Sequence, residues 1–166
     1  MKERTITLGG FSKSYAMTGW RVGYAAAPAS ILQGLVRIHQ YTVMSAPTMS
    51  QLAALAAVQQ GAEHAEDMRQ KYDRRRQLIV SGLNKIGLET FLPEGAFYAF
   101  PRITSTGLDD EAFAQQLLEE EKVAVVPGSA FGAGGQGFVR CSYATKYEQI
   151  EKALERMEKF VERCKG

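Results

Sequence analysis

Cysteine, histidine and tryptophan are scarce in this chain, with two, two and one among 166 residues. Cys141 and Cys164 make neither a CxxC pair nor the dense disulfide framework of a small secreted domain, which points to a reducing compartment. His39 and His64 stand on separate helical patterns without metal-ligand spacing, so both read as structural and no metal site is expected. No nucleophile elbow and no Ser/His/Asp order is present. No apolar run approaches the roughly 20 residues that span a bilayer, and Met1-Lys2-Glu3-Arg4 lacks the apolar core of a signal peptide. Charge of one sign is lacking too: 20 basic against 18 acidic residues leave a net +2, too even for the footprint of a nucleic-acid or acidic-membrane partner. These absences predict a soluble, cytoplasmic protein with neither kind of partner.

What is present is ordinary globular material, 45% hydrophobic, in which strand and helix periods alternate. Thr5 to Leu8 alternates and meets Gly9-Gly10, which predicts a strand feeding a tight turn; Arg21 to Ala27 predicts a second strand closed by Pro28. Ser30 is placed to cap a helix with Ile31, Leu35 and Ile38 on its apolar face. Pro47 opens another helix that stops at Gly61, and a longer one runs from about His64 to Gly87. Further on, Phe97–Phe100, Val123–Val126 and Phe138–Tyr143 read as strands, and Asp109–Leu118 as an acidic-start helix. Thr145-Lys146-Tyr147-Glu148 fits a capping box before a last helix striped by Ile150, Leu154, Met157 and Val161. Arg74-Arg75-Arg76 lies in a helical pattern and reads as a solvated face. Gly132 to Gly137 fits GxGxxG, but a strand follows it where a dinucleotide site needs a helix, so it reads as a flexible loop.

The most informative stretch is Phe11-Ser12-Lys13-Ser14-Tyr15-Ala16-Met17-Thr18-Gly19-Trp20-Arg21-Val22-Gly23-Tyr24. It sets one lysine between two predicted strands and an arginine shortly after it. A neutral lysine amine can condense with an aldehyde, and an arginine fork suits a phosphate dianion better than a point charge does. The string resembles the lysine motif of class I/II aminotransferases, the aspartate aminotransferase-like branch of fold-type I pyridoxal phosphate (PLP) enzymes.

The resemblance implies that Lys13 forms the Schiff base with PLP and afterwards moves a proton, that Arg21 holds the phosphate, and that Ser12 donates a hydroxyl to it. A turn serine bonding its own backbone is the other reading of Ser12. Gly10 departs from many relatives, which carry serine or threonine there. Arg140, in Phe138-Val139-Arg140-Cys141-Ser142-Tyr143, shares a strand face with Ser142, opposite Val139 and Cys141. By resemblance it clamps the substrate α-carboxylate; a structural ion pair with Asp or Glu is the alternative. Pro93 to Phe100 resembles a segment whose glycine turn and aromatics line the small-domain side of the cleft. Tyr41 to Pro47 aligns with a segment that reaches across the subunit interface of dimeric relatives. Dicarboxylate-specific relatives have an arginine where Tyr41 stands, so the resemblance does not point to aspartate or glutamate.

The expected fold is therefore α/β followed by α+β: residues 1–62 as the C-terminal remnant of the large cofactor-binding domain, and residues 63–166 as the complete small domain. The expected function is transamination between an amino acid and a 2-oxo acid, in a homodimeric full-length parent, with this stretch alone inert. A carbon–sulfur lyase or decarboxylase on the same scaffold, and the aminotransferase-like sensor domain of a transcription regulator, are the alternatives.

Overall fold

The computed structural model describes residues 1–165, which divide into two compact units, Met1–Met68 and the residues from Arg69 onward.

In the first unit, strand β1 (Thr7–Gly10) pairs antiparallel with β2 (Gly23–Ala26) in the register Thr7↔Ala26 to Gly10↔Gly23. β1 starts later than the alternation suggests, since Thr5 is tied back into a 3-10 turn at Lys2–Arg4 by its N–H to the Lys2 carbonyl (3.3 Å) and its hydroxyl to the Met1 carbonyl (2.8 Å). Gly9 and Gly10 are ladder rungs, not a turn. A Cβ on Gly23 would lie 2.9 Å from the Gly9 carbonyl oxygen, so the two strands meet where side chains do not fit. One helical turn, α1 (Phe11–Ser14), follows β1, and a 3-10 turn at Thr18–Trp20 leads back toward β2.

Helix α2 (Ala29–Thr42) is entered through Pro28, whose carbonyl accepts the N–H groups of Ile31 and Leu32, both at 3.0 Å. Ser30 therefore lies inside the helix and does not cap it; the fixed φ of proline makes the entry. No residue of α2 is buried, and Ile31, Leu35 and Ile38 stay exposed because the first unit offers them no core. Helix α3 (Thr48–Gln60) runs from Pro47 to Gly61 as its punctuation predicts, and helix α4 (Ala62–Lys85) follows.

In the second unit, strands β3 (Tyr98–Ala99), β4 (Val126–Pro127) and β5 (Val139–Ser142) form an antiparallel sheet in the order β3-β5-β4. Helix α5 (Asp110–Glu121) precedes β4, and helix α6 (Tyr147–Lys165) follows β5. The core joins Ile79 and Leu83 of α4, Phe113 and Leu117 of α5, Val139 and Cys141 of β5, and Ile150, Met157 and Val161 of α6. Ile150, Met157 and Val161 of the α6 stripe are thus buried as its 3.6-residue spacing requires, and Leu154 packs half-buried against the core. The run Val123–Val126 is strand only at its end, because the Val123 N–H closes α5 on the Leu117 carbonyl (3.4 Å) and the β5 ladder begins at Val126↔Arg140. α6 starts after Lys146, whose carbonyl accepts from Gln149 and Ile150, so the helix begins one residue later than a box headed by Thr145 would set it.

Candidate functional site

The first unit carries Ser12, Lys13 and Arg21 at one end of the β1–β2 ladder. Lys13 sits on α1, one turn beyond Gly10, and is exposed; Ser12 is half-buried beside it. The Phe11 N–H donates to the Val22 carbonyl at 3.3 Å, which ties the start of α1 to the residue after Arg21. Arg21 is not in the strand. It has φ 53° and ψ 47°, a left-handed conformation that costs a non-glycine residue about 1 kcal/mol, and such strain is met at sites where a side chain must be held in one place. Its Nη1 donates to the Thr18 carbonyl at 2.8 Å, and no carboxylate pairs with it among the described residues. The Ser12 hydroxyl makes no bond to its own backbone. Phe11 packs against Tyr15 and Tyr24, with centroids 5.7 and 6.0 Å apart, and so anchors α1 on β2.

The second unit carries Arg140. As alternation predicts, Val139 and Cys141 face the core while Arg140 and Ser142 face outward. The guanidinium lies over the Tyr98 ring at 4.3 Å and the Phe131 ring at 4.5 Å. No carboxylate is paired with Arg140 among the described residues, so the structural ion pair is not what holds it. Ring faces attract the cation without using its N–H groups, so its donors stay available for an anion.

Neighbouring segments are more tightly built than their sequences suggest. In Pro93–Phe100 the left-handed residue is Ala96 (φ 62°), not Gly95, and its carbonyl accepts the Tyr143 hydroxyl at 3.0 Å. The glycine-rich stretch after β4 folds into two 3-10 turns, Gly128–Phe131 and Ala133–Gly135. Gly128 and Gly135 approach so closely that neither could carry a side chain, and the Gly128 N–H donates to the Phe138 carbonyl at 2.9 Å. Asp110, unremarkable in sequence, is buried and accepts the Ser129 N–H at 2.7 Å. Of the basic cluster, Arg76 turns inward: it donates to Asp73 Oδ1 from Nη2 (2.6 Å) and to the Pro93 carbonyl from Nη1 (2.7 Å). Tyr41 is almost wholly exposed. Tyr98 and Phe131 could have been sought as aromatics flanking Arg140's strand, but the β3–β5 register that brings Tyr98 opposite Ser142 is not written in either strand alone.

The profile of the family described as aminotransferase class I and II matches residues 1–157. The chain is 52% identical over 161 residues to an aspartate aminotransferase of Pyrococcus abyssi, covering 96% of this chain and 41% of that protein. It is 49% identical over 167 residues to aromatic-amino-acid aminotransferase 2 of Thermococcus litoralis, covering 99% and 43%. The crystal structure of an aromatic aminotransferase from Pyrococcus horikoshii superposes with a TM-score of 0.94 at 50% identity, over 98% of this chain and 44% of that one. The chain thus spans less than half the length of these relatives.

Proposed function

The chain belongs to the aminotransferase class I and II family, and from that premise we propose that it supplies the lysine, phosphate and carboxylate elements of a PLP-dependent aminotransferase. The reaction assigned to the protein carrying its relatives' full length moves an amino group from an amino acid to a 2-oxo acid. Residues 1–62 belong in this reading to the large cofactor domain and residues 63–166 to the small one. The observation that carries the proposal is Arg140: a half-buried arginine in mid-strand, held by two rings and left without a carboxylate among the described residues.

The residues present fit the cofactor. Arg21 spends one N–H on a backbone carbonyl and faces no carboxylate, and the Ser12 hydroxyl, on the turn that the Phe11 N–H ties to the Val22 carbonyl, lacks a backbone partner; both are donors suited to a phosphate dianion. PLP, when bound, supplies the electron-withdrawing ring that makes the substrate Cα–H acidic. Arg21 and Ser12 would hold its phosphate end. Lys13 would hold its aldehyde end through its amine and, with that amine free, would serve as the base that takes the proton from the substrate Cα. Arg140 receives the substrate α-carboxylate through two parallel N–H···O bonds and so orients the Cα–H bond.

Borohydride reduction of the PLP-loaded full-length protein followed by peptide mapping should place one pyridoxyl group on Lys13. Lys13→Ala should abolish exchange between a panel of amino acids, aspartate and aromatic ones included, and 2-oxoglutarate. Labelling elsewhere, or a loaded protein that releases ammonia and pyruvate and exchanges no amino group, overturns the reading.

A further inference from the structure

Arg140 is gripped by aromatic rings that the proposed carboxylate contact does not itself require. Tyr98 comes from β3, and its ring centroid is 4.3 Å from the guanidinium carbon; Phe131 comes from the turn after β4, at 4.5 Å. The Phe131 side of this grip is built with care. Phe131 closes a 3-10 turn, Gly128–Phe131, that is fixed at three points: Gly128 N–H to the Phe138 carbonyl (2.9 Å), Ser129 N–H to Asp110 Oδ2 (2.7 Å), and Gly132 N–H to the Ser129 carbonyl (3.0 Å). Phe100 meets the Phe131 ring edge-on at 6.1 Å and stacks on Phe138 at 5.5 Å. Yet Phe131 remains 51% exposed, so this turn is not a device for burying a phenylalanine.

We propose that Phe131, together with Tyr98, is a positioning residue that sets the direction of the Arg140 fork, held in place by the Asp110–Ser129 bond. An arginine side chain turns about four bonds, and its donors bind a carboxylate in bidentate fashion only when the guanidinium plane has the right direction. Two ring faces at van der Waals distance restrict that plane and compensate the charge while no anion is present, and they use none of its five N–H donors. A carboxylate partner would restrain the same arginine but would compete with substrate for those donors. The aromatic grip thus prepares the site for an anion and leaves it open.

The inference rests on the reading of Arg140 as the carboxylate clamp, and the test separates the two. In the full-length holoenzyme, Phe131→Leu keeps the apolar contact with Phe100 and removes the ring. It should raise KM for amino acid and for 2-oxo acid roughly 3- to 10-fold, the range of a partly desolvated cation–π contact, with kcat within about twofold. Phe131→Trp should restore KM, and Tyr98→Leu should reproduce the defect from the other side. In an Arg140→Lys background, whose own KM should be much higher, Phe131→Leu should add little. If Arg140→Lys leaves KM unchanged, the clamp reading fails. If Arg140→Lys raises KM while Phe131→Leu and Tyr98→Leu do not, or if the loss lies in kcat and Phe131→Trp does not rescue it, the positioning role alone is overturned.

Discussion

Asp110 accepts the backbone N–H of Ser129 at 2.7 Å through Oδ2, joining the first turn of α5 to the turn that carries Phe131. The Ser129 hydroxyl, then its backbone N–H, holds the Asp110 carboxyl below its ordinary 3.8, against burial, which pushes it up. A carboxyl with a depressed folded pKa stabilises the fold above its unfolded value and ceases to as pH falls through the folded one. Thermal denaturation followed from pH 6 down to 2 should show this loss below about 3.8 in the parent protein, and Asp110→Asn should flatten that limb. At neutral pH the same variant should lose about 1 kcal/mol, the difference between a charged and a neutral acceptor.

Gly82 of α4 faces Leu154 of α6 with no room for a methyl group, since a Cβ there would lie 2.5 Å from Leu154 Cδ1 and 2.8 Å from Cδ2. Alanine gains about 1 kcal/mol in helix propensity but overpacks by about 1–3 kcal/mol. Gly82→Ala should therefore be neutral to destabilising by up to about 2 kcal/mol in urea titration. In a Leu154→Ala background, where the obstruction is gone, the same change should stabilise by about 1 kcal/mol.

Gly10 is extended (φ −151°, ψ 150°), and a Cβ built on it would meet nothing within 4 Å. Neither backbone nor packing requires glycine there. Gly10→Ser should leave thermal stability within about 0.5 kcal/mol and, at the phosphate end of the proposed cofactor site, tighten PLP binding about 3- to 10-fold, the worth of one added hydrogen bond. Absorbance titration with PLP reads this directly.

Burial pushes the Cys141 thiol from its ordinary 9.0 up to about 12, so the folded state keeps it protonated where the unfolded state ionises. That stability is fully present below pH 9.0 and is lost as pH climbs toward about 12. A disulfide reagent at pH 8 should leave Cys141 unmodified until denaturant is added, whereas half-buried Cys164 should react first. The alkaline loss of stability should shrink in Cys141→Ala.

Much of the architecture is legible in the chain because it depends on neighbours in sequence. The α6 stripe of Ile150, Met157 and Val161 is buried, α3 runs between Pro47 and Gly61, and β5 turns Val139 inward and Arg140 outward. Each follows from local period or punctuation. Left-handed backbone is less legible: Arg21, Ala96 and Lys122 adopt it without being glycine, because surrounding hydrogen bonds outweigh a small local penalty. The stripe of Ile31, Leu35 and Ile38 is a further limit, since amphipathic spacing says which face could be buried and not whether a partner surface is there.

The sequence by itself determined the chemical inventory: an amine at Lys13 and guanidinium forks at Arg21 and Arg140, on motifs short enough to be read without any fold. Only the tertiary structure decided the company each one keeps. Tyr98 and Phe131 meet at Arg140, and the Tyr143 hydroxyl meets the Ala96 carbonyl 47 residues away, through the register of β3 and β4 on β5. Strand register is a property of two backbones and the core that both cover, so no single segment encodes it.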